Sequence, residues 1–367
     1  MKKKVLVLGA GQLARMMAIA GGSLDIQLLA FDLNTRSIVH PLSRMISDKG
    51  LDSAIDWCDV ITAEFEHIPY DILDRCQDSG KLLPTAQTIK IGGDRRLEKQ
   101  ALDAAGIKSA KYLIIHNRSD FDNAITQLEL PLVFKSALGG YDGKGQWLLQ
   151  HGKQAEAIWA ELEKCLLSVE NQGIIAEQHV HFSSEISVIG VRDQHGYSQT
   201  YPVTENTHNQ GILSSSIVSE NSSIQAKADQ IFVRLSESLN YVGVLAIELF
   251  YVGDHLLVNE IAPRVHNSGH WTMQGAETCQ FENHLRAVCS IPLGCTRMVR
   301  PTAMINLLGI DELPDEIYTI EGCHIHWYGK EKRPGRKMGH INISSASFQA
   351  TRERVSRCYS RYTLSDL

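Results

Sequence analysis

The sequence has no C-x-x-C pair, no apolar run near the ~20 residues needed to span a bilayer, and no excess of positive charge. Each absence excludes a class. The 8 cysteines are scattered, which argues against a zinc ribbon or a dithiol redox motif and reads as reduced, mostly buried thiols of a cytoplasmic protein. A net charge of −6 makes no broad field for nucleic acid or an anionic membrane, so any basic site must be local. Internal repeats and low-complexity segments are also missing. The basic start Met1-Lys2-Lys3-Lys4 precedes only a short apolar strand ending in glycines, which is not a signal-peptide core. A Walker A loop is absent too, because no G-K-[ST] ending closes any glycine-rich stretch.

What is present is the composition of a globular chain, 43% hydrophobic and 21% charged over 367 residues. That length predicts two or three domains. Lys4 to Leu8 reads as a buried strand, Gly9-Ala10-Gly11-Gln12-Leu13-Ala14 as a turn into a helix, and Ile26 to Phe31 as a second strand ending at Asp32. This is a Rossmann-type unit, which taken alone would place a dinucleotide at the glycine turn and its ribose on Asp32. A further strand from Val60 leads to Glu64 and Glu66, where the carboxyl ends of a parallel sheet gather ligands; Glu66 reads as an ordinary exposed glutamate. Asp94 to Ala105 reads as a helix with an acidic N-cap and a stop at Gly106. Its Arg95 and Arg96 read by default as surface residues.

Two stretches carry chemistry. Between the strands Pro131–Lys135 and Trp147–Leu149 lie Gly139, Gly140, Tyr141, Asp142, Gly143, Lys144, Gly145 and Gln146. Glycines let backbone N–H groups approach phosphates closely, and Lys135 is placed to neutralise phosphate charge. The second stretch is a hairpin from Gly243, turning at Gly253-Asp254. With the turn centred near Asp254, Glu248 and Glu260 face each other among apolar neighbours. Two carboxylates so close repel unless a cation lies between them, and hard oxygen ligands suit magnesium carrying nucleotide phosphates; for the hairpin taken alone, two solvent-facing glutamates are the plainer reading. Arg264, His266, Asn267, Ser268, Gly269 and His270 follow at once. The one dense basic run, Lys330 to Lys337, comes near the C-terminus.

With these motifs laid out, the chain resembles the 5-(carboxyamino)imidazole ribonucleotide synthases, ATP-grasp enzymes of bacterial purine biosynthesis. The matching segments are GAGQLARM at 9–16, ITAEFEHIP at 61–69, GGYDGKGQW at 139–147, AEQHVHFSSEIS at 176–187, YPVTENTHNQGIL at 201–213, NEIAPRVHNSGHWT at 259–272 and HWYGKEKRPGRKMGHIN at 326–342. The resemblance implies an α/β and α+β ATP-grasp fold: a Rossmann-like pre-ATP-grasp domain over 1–93, a linker helix and lid over 94–181, and a catalytic domain with its C-terminal subdomain over 182–367. It implies joining aminoimidazole ribonucleotide to bicarbonate while ATP is cleaved to ADP and phosphate, usually in a homodimer.

Carried to matching positions, Arg95, Lys135 and Gly139–Gln146 would hold ATP phosphates. Glu177, Gln178, His179 and Val180 would frame adenine, Glu185 the ribose, and His208 with Asn259 would complete the nucleotide site. Glu248 and Glu260 would bind Mg2+, with Mn2+ as a substitute. Arg264, His266, Asn267, Ser268 and Gly269 would receive bicarbonate and the carboxyphosphate made from it. Gln12, Glu64, Tyr141 and Asp142 would meet the ribonucleotide, with Lys330, Arg336 and Lys337 on its phosphate. The chain departs from the pattern at Ala14, where glycine is common, after GILSSS, where a proline is expected, and beyond Ser344. Rival readings are a formate-dependent glycinamide ribonucleotide transformylase or a biotin carboxylase, and, outside the superfamily, a nicotinamide-dependent oxidoreductase or an inactive binding protein.

Overall fold

The computed structural model describes residues 2–140, 145–168 and 173–362. Three sheets organise these residues. In the first, Lys4–Leu8 lies between Gln27–Asp32 and Val60–Ala63, all parallel, and Ser37–Val39 pairs antiparallel at the edge. The apolar run VLVL is almost fully buried, as expected for a parallel strand covered on both faces. The helix Gln12–Gly22 follows the glycine turn.

The second sheet is antiparallel, in the order Tyr112–Ile115, Ile174–Gln178, Leu132–Ser136, Gln146–Leu149. Its own core gathers around Phe121, Phe134 and Leu162. The third sheet is antiparallel and larger, running from His255–Ala262 through Gly243–Val252, Ser184–Arg192, Thr204–Asn209 and Ile212–Val218 to Thr302–Leu308, Lys337–Ser344 and Cys323–Trp327. The helix Ser222–Ser238 packs beneath it, and Asn221 accepts the first free N–H groups, from Ser223 and Ile224 at 3.1 Å. That cap fixes where the helix starts.

The helix Arg95–Ala104 is capped by Asp94 as read from the sequence. It packs against the third sheet through Leu102 and meets the second through Arg95, whose N–H donates to the Ala137 carbonyl at 3.0 Å. The first and third sheets share one core, in which Val5, Val7 and Met16 meet Phe281, Leu285 and Val244. His284 bridges them: Val244 N–H donates to its Nδ1 at 3.1 Å, and its Nε2 lies 2.8 Å from Thr62 Oγ1. These contacts hold the carboxyl ends of the first sheet over the hairpin. The 8 cysteines are all free thiols. Among the described residues no helix is long and apolar enough to cross a membrane.

Candidate active site

Glu248 and Glu260 are cross-strand partners, although the turn is not centred where the sequence reading put it. Val252 pairs with His255, a register that carried on regularly would set Glu248 against Asn259. A bulge corrects it: Leu249 pairs with Val258, Glu248 with Glu260, and Asn259 is the extra residue. The displaced Asn259 side chain accepts a hydrogen bond from Lys135 Nζ at 3.2 Å. Burial, reinforced by the Glu260 charge, pushes the Glu248 carboxyl up to about 7. Beside the pair, the buried Glu98 is raised to about 7 by desolvation and accepts the Ile261 N–H at 2.9 Å, bracing the strand.

Lys135 lies on the second sheet with its ammonium 2.7 Å from Glu177. Lys99, itself buried, takes the other oxygen of the same carboxylate at 2.8 Å. Burial alone would raise Glu177, but the two lysines outweigh it and lower the carboxyl to about 2. Glu177 thus fixes lysines. Arg95 is turned inward rather than lying on the surface, with its guanidinium 3.7 Å from Glu260 and 3.4 Å from the Gly140 carbonyl. Arg96 does not reach the site; Asp94 holds it at 2.6 Å.

The glycine-rich loop springs from residues in the left-handed region, Gly139 at φ 71° and Gly145 at φ 64°. Ser136 N–H donates to the Gly145 carbonyl at 2.8 Å and closes the base of the loop. Tyr141, Asp142, Gly143 and Lys144 lie outside the described residues.

His266 stands 3.9 Å from Glu248. Its Nδ1 lies 2.8 Å from Ser268 Oγ and 3.3 Å from the Ser268 backbone nitrogen, and its Nε2 faces the carboxylate. Burial, then the positive charge of Arg264, keeps this imidazole well below its ordinary pKa. The buried Gln280 clamps the same residue from behind, accepting the His266 N–H at 2.9 Å and donating to its carbonyl at 2.7 Å. Gly269 is required there because a Cβ would come within 2.6 Å of Gln280 Oε1. Ser268 and Gly269 are buried behind His266, whereas Asn267 faces the cleft with both amide atoms buried and no protein partner among the described residues. Arg264 pairs through Nε with Glu66 at 2.7 Å. Glu66 is therefore an internal ion-pair partner and not the exposed glutamate the sequence suggested.

Three cavities follow one another through this ground. The first, about 340 Å³, is lined by Lys135, Gln146, Glu177 to Val180, Glu185, His208, Glu248, Asn259 and Asn267. At its inner end His208 pairs with Glu185; burial works against the imidazolium, but that contact and the Glu248 charge raise its pKa. Phe182 stacks on Phe250 at 4.6 Å along the same wall; the sequence reading named neither. The second cavity, about 190 Å³, holds Gly139, Gly140, Glu66 and Arg264. It shares Arg95, Glu260, His266 and Lys337 with the first.

The third cavity, about 870 Å³, opens at the glycine turn of the first sheet and contains Gln12, Glu64, Lys330, Arg333 and Arg336. There Glu64 accepts N–H groups from Gly11 and, at 2.8 Å, from Ala14. That buried carboxylate occupies the place a dinucleotide pyrophosphate would need, which speaks against the nicotinamide reading, and Asp32 is 3.5 Å from Arg44 instead of facing a ribose. The basic run is divided. Arg336 faces the third cavity, and Lys337, at the start of a strand and so pointing the other way, faces the first two.

Among the described residues no group of three or more His, Cys, Asp or Glu side chains forms a ready-made metal cage. Two carboxylates are nonetheless the usual protein share of a magnesium site whose remaining ligands are phosphate oxygens and water, and the burial and mutual repulsion that raise Glu248 are what a bound cation would offset. An acidic pair, a buried lysine and a glycine-rich loop between a small antiparallel sheet and a larger one define an ATP-grasp ligase. Models of known families agree: a ribonucleotide synthetase preATP-grasp domain matches residues 1–92, an ATP-grasp domain 100–281, and a phosphoribosylaminoimidazole carboxylase C-terminal domain 302–354.

Whole-chain similarity goes further. N5-carboxyaminoimidazole ribonucleotide synthase of Vibrio cholerae is 58% identical over 342 residues, covering 93% of this chain and 91% of that protein. The crystal structure of the Thermus thermophilus synthetase superposes with TM-score 0.84 at 35% identity, covering 96% of this chain and 98% of that one. The Aspergillus clavatus synthase, solved with ADP and 5-aminoimidazole ribonucleotide, gives TM-score 0.86 at 26% identity over 99% of both chains. The chain belongs to the N5-carboxyaminoimidazole ribonucleotide synthase family, and it is an ATP-dependent carbon–nitrogen ligase.

Proposed function

We propose that the three cavities are the successive stations of this ligase, which carboxylates 5-aminoimidazole ribonucleotide with bicarbonate at the expense of ATP in purine biosynthesis: ATP in the first, bicarbonate and carboxyphosphate in the second, the ribonucleotide in the third. The observation that carries this reading is their shared walls. Glu260, Arg95, His266 and Lys337 border both the first and the second cavity, so a phosphoryl group leaving ATP enters the space in front of Arg264.

Bicarbonate is a poor electrophile, and phosphorylation turns one of its oxygens into a leaving group. A divalent cation, Mg2+ or Mn2+, held by Glu248 and Glu260 would neutralise phosphate charge during that transfer. Lys135, fixed by Glu177 and Asn259, and Arg95, beside Gly140, direct positive charge at the same oxygens without having to reorganise. The unpartnered amide of Asn267 lines the first cavity, and His266, on the wall common to the first and second, turns its Nε2 toward Glu248. Arg264 has Nε engaged by Glu66, which orients the plane of its fork for carbonate oxygens. Glu185 and His208 suit the ribose, and the Phe182–Phe250 stack with the strand end at Gln178–Val180 suits the base. Gln12 and Glu64 take the ribonucleotide's sugar and ring, and Lys330, Arg333 and Arg336 its phosphate. Tyr141 and Asp142 complete this set by resemblance alone.

The division into 1–93, 94–181 and 182–367 is supported by the three sheets, which occupy 4–63, 112–178 and 184–344. Cytoplasmic residence is consistent with the free thiols. A homodimer follows the family pattern, and sedentation of its mass in solution by analytical ultracentrifugation measures it. The function itself is tested by phosphate release: it should require ATP and a divalent ion and rise when both bicarbonate and 5-aminoimidazole ribonucleotide are added. Release indifferent to either one contradicts the assignment.

A further inference from the structure

Among the described residues His67 alone lines both the second and the third cavity. It sits between two anchored neighbours. Glu66 carries the 2.7 Å ion pair to Arg264, and Ile68 is buried, with its N–H donating to the Glu66 carbonyl at 2.9 Å. The linker before the helix Arg95–Ala104 presses on the same point: a Cβ on Gly93 would lie 3.2 Å from the Glu66 carbonyl oxygen, and one on Gly92 would lie 3.1 Å from Glu66 Cγ. The backbone at His67 is thus held by an ion pair, a core residue and a close backbone approach, while the exposed His67 itself borders both spaces.

We infer that Glu66 and His67 together couple carboxyl-group formation to its capture: Glu66 is a positioning residue for Arg264, and His67 is the doorway between the carbonate cavity and the ribonucleotide cavity. The inference rests on the three-station reading above. In the step concerned, the amino nitrogen of the ribonucleotide bonds to the carboxyl carbon of carboxyphosphate. The bond from that carbon to the bridging phosphate oxygen breaks, inorganic phosphate leaves with the electron pair, and the amine proton passes to it. Carboxyphosphate that meets water instead gives bicarbonate and phosphate, so ATP is spent without product. His67, the one described residue on both walls, is the side chain past which the amine must reach the carboxyl carbon, and its bulk there limits the approach of water. Because Glu66 and His67 are adjacent in one turn, the arginine that receives carbonate and the residue that admits the amine are set by a single piece of backbone.

The test compares carboxylated ribonucleotide formed from isotope-labelled bicarbonate with phosphate released, in the full-length enzyme. Glu66→Gln should raise the KM for bicarbonate about tenfold or more, as expected when the partly buried ion pair that holds Arg264 is removed, and Glu66→Asp should restore part of it. His67→Ala should lower the ratio of product to phosphate several-fold, with His67→Asn lying between it and the unsubstituted enzyme. Thermal unfolding of each variant identifies any that fail to fold, and the conservative member of each pair then carries the comparison. An unchanged ratio in both His67 variants, or an unmoved bicarbonate KM in Glu66→Gln, overturns the inference. A failure of the three-station reading is distinct, because the unsubstituted enzyme would then release phosphate without regard to bicarbonate or ribonucleotide.

Discussion

Glu248 faces Glu260 because Asn259 is bulged out of the strand that carries Glu260, and the same bulge delivers the Asn259 side-chain Oδ1 to Lys135. One backbone irregularity thus sets the acidic pair and ties it to the lysine of the opposing sheet. It follows that neither carboxylate is replaceable by an amide. Glu260→Gln should reduce ATP turnover by roughly 10²-fold or more, the scale seen when a preorganised electrostatic group is removed, while thermal unfolding stays near that of the parent. Phosphate release at saturating ATP and magnesium measures it.

The clamp of Lys99 and Lys135 on Glu177 should appear in stability. Glu177→Gln leaves two buried ammonium groups facing a neutral amide, at a cost of about 3 kcal/mol or more, read by urea unfolding. The sign of the pH dependence follows from the carboxyl being lowered to about 2. Its contribution is full above the ordinary carboxylate range and is lost as pH falls from that range toward about 2. The variant should therefore lose less stability than the parent over that acid window.

His284 titrates in the opposite sense to a paired histidine. Burial lowers it to about 4, so the folded protein resists a proton that the unfolded chain accepts near pH ~6.5. Stability should fall as pH drops from about 6.5 toward about 4, by up to ~1.4 kcal/mol per pH unit for this one group. His284→Gln retains an acceptor for Val244 and a donor for Thr62, and should flatten that slope. Urea midpoints taken across the range check it.

Much of this arrangement is legible in the amino-acid string, and the parts that are not share a cause. The glycine-dense loop, the Asp94 cap and the facing glutamates are local patterns, set by neighbours a few residues apart. Glu66, Gln280, His67 and Lys99 have no such signature. Their roles come from partners at Arg264, at His266, across two cavities and on Glu177, all brought together by tertiary packing. The hairpin was placed correctly for an incomplete reason: a turn half a residue away from Asp254 is offset by a bulge that no spacing rule reveals. The basic run Lys330–Lys337 reads as one patch in the sequence, because composition hides the alternation that sends Arg336 and Lys337 to different cavities.

That division makes Arg336 and Lys337 separable by kinetics. Arg336→Ala should raise the KM for the ribonucleotide about tenfold or more, as for a lost charged contact, with kcat changed much less. Lys337→Ala, facing Glu248 and His266, should act mainly on kcat and the bicarbonate KM. Initial rates with each substrate varied in turn distinguish the two, and a shared effect on ribonucleotide KM alone would return Lys337 to the phosphate group.

By this assignment Glu248 and Glu260 seat a divalent ion together with ATP. Its most direct test is Mn2+ binding followed by electron paramagnetic resonance in the presence of a non-hydrolysable ATP analogue. The parent should bind the ion tightly only when the nucleotide is present, and Glu248→Gln and Glu260→Gln should each weaken that binding at least about tenfold. Mn2+ affinity unchanged in both variants would contradict the account.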